Sequence, residues 1–296
     1  MAFCRSQRFR LATVSIYCER TASLATKHAK ERAIARPFRF ALGLNVLATT
    51  GLDTDTLGTF TGEVPREGTP LEVCERKARL GMKRMGLPLG LASEGSFGAH
   101  PVIPFRPAGV ELMTFIDDER GIVLTERLVC EKTNYGHCEA RNVGELTDWL
   151  RRVGFPSHAL IVRKNDNGPS TAIAKAVTTV DGLQAAMVEA TASSDQGVAW
   201  VEPDMRAHLN PTRMRAIRRV ACNLARRLAT QCPSCSAPGW GRTGTIKGLP
   251  CESCGLPTEM ARAEVFGCAV CDHREEKPRR DGRQNTSPQH CPLCNP

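Results

Sequence analysis

Four Cys-x-x-Cys pairs lie after residue 230, and they hold eight of the fourteen cysteines of this 296-residue chain. The pairs are Cys232/Cys235, Cys251/Cys254, Cys268/Cys271 and Cys291/Cys294. One such knuckle turns two thiolates toward one point, and a second knuckle completes a tetrahedral set of zinc ligands. Residues 231–296 include few large apolar side chains, so we expect metal binding to supply the folding free energy that a hydrophobic core supplies elsewhere. The pattern predicts two structural zinc sites.

The spacing of the knuckles fits two zinc ribbons. Fifteen residues separate the first knuckle from the second, and nineteen separate the third from the fourth. Both gaps suit a hairpin between two knuckles. Sequential pairing (first with second, third with fourth) is the default expectation, and cross-braced pairing is the alternative. His273 and His290 adjoin knuckles and are candidate substitute ligands, while disulfides or reactive dithiols are the competing interpretation of the cysteines.

Residues 1–20 form a basic N-terminal extension. The segment has arginines but no apolar stretch followed by a small-residue cleavage site, so it does not have the pattern of a secretory signal. We expect it to be unstructured, and a transit peptide or a misassigned start are the alternatives. A reducing, cytoplasmic location is therefore the working expectation, and it favours metal ligands over disulfides.

Composition and charge exclude several classes of protein. With 41% hydrophobic and 24% charged residues, the chain resembles soluble globular proteins. No apolar run reaches the ~18–20 residues that span a bilayer, so we expect no membrane partner. The net charge of +9 comes from residues 1–20 (+3) and 204–230 (+6), and the rest of the chain is close to neutral. The basic charge is local, and the near-neutral tail lacks the charge typical of a nucleic-acid interface.

Residues 21–230 alternate strand-like and helix-like segments, which predicts an α/β domain with a mixed sheet, followed by a C-terminal double zinc ribbon over 231–296. The expected strands cover 21–26, 44–50, 87–92, 159–164, 174–180 and 197–202, with a hairpin over 111–129. The expected helices cover 28–42, 142–154, a segment from Thr69 to Gly86, and a long segment that starts after Asn210. Thr69 and Glu72 have the spacing of a capping box.

Polar residues gather at four strand ends or helix starts, where α/β proteins usually bind ligands. The four groups are the segment 25–30 with Lys30, the group of Thr69, Glu72 and Lys77, the segment 93–98 with Glu94, and the segment 202–213. A lysine at a helix start suits an anion, and a glutamate beside glycines suits a metal ion or a water molecule. A solvated lysine, a capping box and an ordinary turn are the competing interpretations of the first three groups.

The fourth group is denser in charge than a solvated loop usually is, which favours a functional role. It places Asp204, Arg206, His208 and Arg213 around the start of one helix. Another acidic group, Asp53, Asp55 and Glu63, lies in a Gly/Thr-rich loop and is interpreted either as a second acidic site or as a solvated loop.

Several ordered motifs carry a resemblance to a known family. The segments LATKHAKERAIA, DTDTLGTFTGE, LASEGSFGAHP, TNYGH and DMRAHLNPTRM precede the four knuckles. In this order they resemble a bacterial family known only as a domain of unknown function, over about residues 20–296. That resemblance implies no particular activity.

The α/β part is also similar, over about 70 residues, to the inosine/xanthosine triphosphate pyrophosphatases. The similarity rests on Ala25-Thr26 with Lys30, on Thr69, Glu72, Lys77 and Ala78, on Gly86-Leu87-Pro88 leading to Glu94-Gly95, and on Arg213 before a helix. The chain departs from that family in a loop one residue shorter before Lys30, in His28 near an asparagine position, and in the missing asparagine of the second motif.

This similarity implies a Mg²⁺-dependent release of pyrophosphate from nucleoside triphosphates. Glu72 and Glu94 would hold the Mg²⁺ ion. Four cations, Lys30, Lys77, Arg206 and Arg213, would neutralise the phosphates. Asp204 or His208 would orient the attacking water or read the base.

Three functions therefore compete. The first is a hydrolase of a nucleotide or another phosphorylated small molecule, with zinc as a structural cofactor and Mg²⁺ as a candidate catalytic one. The second is a nucleic-acid-binding protein that uses the Arg213–Arg227 helix and the zinc ribbons, and it is not favoured because a solvated face explains that helix as well. The third is a zinc-stabilised adaptor whose ribbons contact another protein.

Overall fold

The computed structural model describes residues 15–51 and 68–296. Expectations for residues 1–14, and for the loop that contains Asp53, Asp55 and Glu63, lie outside these ranges. Within them, no helix is long and apolar enough to cross a bilayer.

A five-stranded mixed sheet forms the first half of the α/β part. Its strands are β1 (Thr21–Ala25), β2 (Asn45–Ala48), β3 (Leu89–Ala99), β4 (Pro107–Asp117) and β5 (Ile122–Cys130), in the order β2-β1-β3-β4-β5. β1 is parallel to β2 and β3, whereas β3, β4 and β5 are antiparallel. The mixed sheet and the β4–β5 hairpin confirm the sequence prediction.

The two faces of this sheet are covered by different helices. The α-helices of residues 15–51 and 68–296 are α1 (Glu31–Leu42), α2 (Pro70–Met85), α3 (Thr147–Val153), α4 (Val180–Ser193) and α5 (Pro211–Leu228). Helices α1 and α5 bury their apolar sides in one core with Leu24, Leu91 and Phe115. Helix α2 packs on the opposite face, against Ala25 and Ala92. The strands alternate between these two cores, as the period of two along a strand requires.

A second, four-stranded sheet has a core of its own, whereas the sequence analysis expected one mixed sheet. Its strands are β6 (Cys138–Ala140), β7 (Leu160–Asn165), β8 (Pro169–Val177) and β9 (Ala199–Pro203), in the order β6-β9-β7-β8. Helices α3 and α4 cover it. The expected strand 174–180 was wrong at its C-terminal end. Thr179 lies outside the strand, and its side chain accepts a hydrogen bond from the Gly182 N–H and caps α4. The sequence analysis missed this helix.

The strand end expected after Ala92 was also wrong, and so was the competing interpretation of Ser93–Ser96 as a turn, because these residues continue β3. They pair with β4 along its whole length, as far as Ala99 opposite Pro107. Strand β1, in contrast, ends at Ala25, opposite Ala92. The pairing of β3 with β1 thus ends at Ala92, so Ser93 and the residues after it lie beyond the carboxyl end of β1, in a region called the crevice below. This is the position at which open α/β sheets usually bind ligands.

The cysteine-rich tail folds around a three-stranded antiparallel sheet. Its strands are β10 (Gly241–Lys247), β11 (Ala261–Gly267) and β12 (Arg274–Pro278), in that order across the sheet. Arg227 of α5 joins the tail to the α/β part, since its Nη1 donates to Glu126 Oε1 at 2.9 Å and its Nε donates to the Gly239 carbonyl at 3.2 Å. The tail is thus docked against α5 and β5.

Candidate metal centres and candidate active site

The eight knuckle cysteines form two groups of four, and the default pairing of the sequence analysis was wrong. Cys232 and Cys235 meet Cys268 and Cys271, and the other group joins the second knuckle to the fourth. The knuckles are therefore cross-braced, first with third and second with fourth. Neither group includes His273 or His290.

The distances within each group fit a tetrahedral zinc ion. The Sγ atoms of Cys232 and Cys271 are 3.8 Å apart, and those of Cys235 and Cys268 are 3.6 Å apart. In the second group the separations are 4.0 Å for Cys251–Cys294 and 3.6 Å for Cys254–Cys291. Four thiolates at the usual Zn–S distance of about 2.3 Å are about 3.8 Å from one another. The two groups could each hold one zinc ion.

The register of the three-stranded sheet explains the cross-brace. Gly241 at the start of β10 pairs with Gly267 at the end of β11, which pairs with Arg274 at the start of β12. The first and third knuckles adjoin these residues, so they lie at one end of the sheet. The second and fourth knuckles follow the other ends of the strands, where the Cys251 region also bridges to Thr286. A single sheet between the two metal sites therefore enforces the pairing.

Lys30 fills the crevice beyond the end of β1. It begins α1, is only 6% exposed, and donates from Nζ to the Ser93 carbonyl at 2.8 Å. Burial, the largest cause, and the positive charge of Arg213 lower the pKa of Lys30 to about 8, against the opposing effect of Glu94 and Glu111. Helix α1 begins without a side-chain cap, so its first N–H groups also suit an anion.

Two buried ion pairs flank Lys30, one on each face of the sheet. Lys77 of α2 binds Glu94 of β3 on one face, and both side chains are less than 10% exposed. Arg213 of α5 donates from Nε to Glu111 Oε1 of β4 at 2.8 Å on the other face, and both are almost completely buried. Lys30, Lys77, Ser93, Glu94, Glu111 and Arg213 are called the polar cluster below.

Gly95 allows the second ion pair to approach the sheet. A Cβ atom at this position would lie 2.7 Å from Arg213 Nη2 and 2.8 Å from both carboxylate oxygens of Glu111. Any larger residue would therefore push the pair away from β3. The sequence analysis gave an ordinary turn only as the competing interpretation of this segment, and the role of Gly95 within β3 is this close approach.

Two buried polar atoms of the polar cluster have no hydrogen-bond partner within the described residues. They are Ser93 Oγ and Glu111 Oε2. Buried polar groups are nearly always hydrogen-bonded, and leaving one without a partner costs about 1–3 kcal/mol. Together with the buried charges, these atoms distinguish the polar cluster from an ordinary core and make it a candidate binding site.

Glu72 has different surroundings from Glu94. It lies exposed at the start of α2, where its Oε2 accepts hydrogen bonds from the N–H of Thr69 at 2.7 Å and from the Thr69 hydroxyl at 2.9 Å. This capping box was the competing interpretation of Glu72 in the sequence analysis, and the structure confirms it. The hydrogen bonds lower the pKa of Glu72. Its role as a Mg²⁺ ligand remains a prediction.

The fourth polar group lies next to the start of α5. Asp204 is fully buried, and both of its carboxylate oxygens accept from Arg206 Nε, at 3.0 and 3.1 Å. His208 stacks on His28 with ring centroids 5.2 Å apart. Burial and the nearby Arg206 lower the pKa of His208. Asp204 and Arg206 form an ion pair, and burial favours the neutral form of His208.

His208 also lines a groove of about 330 Å³ between the first turns of α1 and α5. Three arginines share this lining: Arg32, Arg215 and Arg218. None of them was singled out as a site residue in the sequence analysis.

Glu111 is the residue of the polar cluster that the sequence analysis missed. It alternates with Met113 and Phe115 along β4, and all three lie on the α5 side of the sheet. A single glutamate at an inward position of an otherwise apolar strand was the signal that could have revealed it.

A known protein family matches most of the chain. The sequence profile described as "Domain of unknown function (DUF6671)" matches residues 77–296. The chain belongs to the DUF6671 family. The DUF6671 region begins at Lys77 and includes Glu94, Glu111, Arg213 and all eight knuckle cysteines, whereas Lys30 precedes it.

No curated protein and no solved structure matches this DUF6671 protein. The similarity to the triphosphate pyrophosphatases therefore finds no support in these comparisons, and the family description itself assigns no activity.

Proposed function

We propose that the α/β part of this DUF6671 protein binds a phosphorylated small molecule at the polar cluster and hydrolyses it. One observation carries the proposal: Lys30 is buried, yet its hydrogen bond within the described residues goes to a neutral carbonyl. No carboxylate of these ranges forms an ion pair with it. A buried cation without an anion is costly, and a phosphate group would supply the missing negative charge.

The ion pairs beside Lys30 support a phosphate rather than a neutral ligand. Lys77 and Arg213 add two further cations, while Glu94 and Glu111 add two carboxylates. The cluster therefore has one more cation than carboxylates, and the excess charge belongs to Lys30. Cations held in a site with little solvent stabilise the charge of a phosphoryl group strongly. Ser93 Oγ adds a hydroxyl that can donate to a phosphate oxygen.

The placement of Glu111 supports hydrolysis as the reaction. Its Oε1 is held by Arg213, and its Oε2 is available to accept a proton. In the proposed step, a water oxygen forms a bond to phosphorus, and the bond from phosphorus to the leaving oxygen breaks. The water proton passes to Glu111 and then to the leaving group, so Glu111 acts as general base and general acid. Nucleoside triphosphates are the first substrates to test, because of the resemblance noted above.

The zinc sites have a structural role in this proposal. The tail is docked through Arg227, and its metal ions would hold a sheet that lacks a large apolar core. Free thiolates require a reducing compartment, which is consistent with a cytoplasmic location. A protein partner for the exposed side of the tail remains an alternative role.

The test of hydrolysis is pyrophosphate release by the zinc-loaded protein from standard and deaminated nucleoside triphosphates, with and without Mg²⁺. We expect release, and we expect Glu111→Gln to lower kcat by about 10²-fold or more. Glu72→Gln preserves the capping box, because glutamine also serves at this position. A full loss of activity in Glu72→Gln would contradict a purely structural role of Glu72. No release of phosphate or pyrophosphate from any substrate would overturn the hydrolase proposal.

Phosphate binding should depend on the protonation of Lys30. Its pKa of about 8 predicts that affinity for a non-hydrolysable triphosphate analogue is retained near neutral pH and falls as the pH rises through 8. Lys30→Gln should weaken binding by about 10-fold to 10²-fold near pH 7 and remove this pH dependence, because a charged hydrogen bond contributes about 1.5–3 kcal/mol. Isothermal titration calorimetry measures both effects.

Lys83→Gln is the matched control for Lys30→Gln, since Lys83 is an exposed lysine on the outer side of α2. It should leave affinity and pH dependence unchanged. Equal affinities of the wild type and Lys30→Gln at all pH values would contradict the assignment of Lys30.

A further inference from the structure

Seven exposed arginines cover the outer surface of the α1–α5 layer. They are Arg32, Arg36 and Arg39 on α1, and Arg215, Arg218, Arg219 and Arg226 on α5. We call this surface the arginine face. The sequence analysis noted a basic helix over Arg213–Arg227 but not the contribution of α1. Its two terminal arginines do not belong to the face, because Arg213 is buried and Arg227 is paired with Glu126.

Acidic side chains of the described ranges do not neutralise the charge of the arginine face. Glu31 is the one acidic residue in the sequences of α1 and α5. Among the described residues, no carboxylate forms an ion pair with any of the seven arginines. The polar contacts of Arg39, Arg215 and Arg226 go to the neutral side chains of Asn45, Thr212 and Asn223. This differs from the tail, where most arginines have an acidic partner.

The two helices lie side by side and run in the same direction. Their first turns share the groove that contains Arg32, Arg215 and Arg218, and their last residues, Leu42 and Leu228, share a cavity at the opposite end. The arginines of α1 recur at i, i+4 and i+7, which places them on one side of the helix. From Arg215 to Arg226 the face extends about 16 Å along α5, at 1.5 Å per residue.

An aromatic side chain adjoins this charge. Phe40 on α1 directly follows Arg39 and is 85% exposed, although a phenylalanine is usually buried. Exposed aromatic rings beside arginines stack on the bases of single-stranded nucleic acids, while the guanidinium groups contact the phosphates.

We propose that the arginine face binds single-stranded nucleic acid, with phosphates on the arginines and a base on Phe40. The length of the face favours a strand over a mononucleotide, because the charges are spread over a distance that several phosphates occupy. A membrane surface is the weaker match, since a membrane-binding helix presents an apolar stripe beside its charges and the face has one exposed aromatic residue. The proposal is independent of the polar cluster, which lies beneath this layer.

The test is fluorescence anisotropy of a labelled oligothymidylate of ~20 nucleotides with the full zinc-loaded chain. We expect binding whose affinity falls on the order of 10²-fold between ~50 and ~200 mM salt, as about five phosphate contacts require. The variant Arg32→Gln/Arg215→Gln/Arg218→Gln should bind at least about tenfold more weakly and with a salt slope smaller by about two. Phe40→Ala should weaken binding about tenfold without changing the salt slope, because it removes stacking and not charge.

The matched control is Lys83→Gln/Arg84→Gln/Arg152→Gln, which removes the same three charges from exposed positions outside the arginine face. It should bind the oligonucleotide almost as well as the wild type. Equal losses in the two triple variants would show that only net charge matters and would overturn the proposal. So would the absence of binding at ~50 mM salt, binding of anionic phosphatidylserine vesicles without binding of the oligonucleotide, or a preference for duplex over single strands.

Discussion

Replacing Cys232 and Cys271 together with serine should leave one zinc ion per chain, whereas replacing Cys232 and Cys251 together should leave none. In the cross-braced arrangement the first pair belongs to one site and the second pair belongs to two. A Cys4 site that loses even one thiolate lacks a complete ligand set, and structural zinc contributes roughly 10 kcal/mol or more to the folding of such modules. Zinc content by mass spectrometry of the purified variants measures the outcome.

Sequential pairing makes the opposite prediction for the same two variants. Cys232 and Cys251 would then share one site, so that double variant would retain one ion and the Cys232/Cys271 variant would retain none. Cys222→Ser is the control, because this half-buried cysteine of α5 belongs to neither group and should leave two ions bound. Near-ultraviolet circular dichroism and Tm of the α/β part establish that each variant is folded outside the tail.

Arg213→Ala should destabilise the α/β part by about 3–5 kcal/mol, because it leaves Glu111 as an unpaired buried carboxylate. The guanidinium group is almost fully buried and donates to Glu111 Oε1 at 2.8 Å. Its Nη1 also donates to the Met205 carbonyl, which ties α5 to the loop after β9. The free energy of unfolding from denaturant titration measures this effect.

Arg215→Ala is the matched control for Arg213→Ala. Arg215 lies two residues further along the same helix, is exposed, and contacts the Thr212 hydroxyl. Its replacement should change the free energy of unfolding by no more than about 0.5 kcal/mol. In the double variant Arg213→Met/Glu111→Leu, much of the lost stability should return, because no unpaired charge remains. A loss of less than about 1 kcal/mol in Arg213→Ala would contradict a close buried pair.

The sequence predicted most helices and strands correctly where residues close in the chain determine their boundaries. The capping box of Thr69 and Glu72 and the Asn210-Pro211 start of α5 both appear as expected. In each case a side chain within three residues satisfies the first N–H groups of the helix, so neighbouring residues alone determine the boundary.

The features that the sequence analysis predicted wrongly or missed share one physical cause. Each depends on contacts with residues that are far away in the sequence. The strand was expected to end at Ala92, before Ser93–Ser96, but pairing with β4 extends it through these residues. Glu111 lies 102 residues from Arg213 in the chain, and only the packing of α5 on the sheet brings them together. The arginine face likewise needs α1 and α5 to lie side by side, which no local pattern of either helix indicates.

The cysteines of the tail show most clearly what the sequence alone determines and what the tertiary structure decides. The sequence by itself determined which eight side chains can bind metal, because the Cys-x-x-Cys spacing turns two thiolates toward one point whatever surrounds it. Which knuckles share an ion was decided by the tertiary structure, since the antiparallel register of β10, β11 and β12 places alternate knuckles at the same end of the sheet. Likewise, the sequence supplied Lys30 and Glu94, and the early end of β1 beside the longer β3 places both side chains at the crevice, where the negative charge of Glu94 raises the pKa of Lys30.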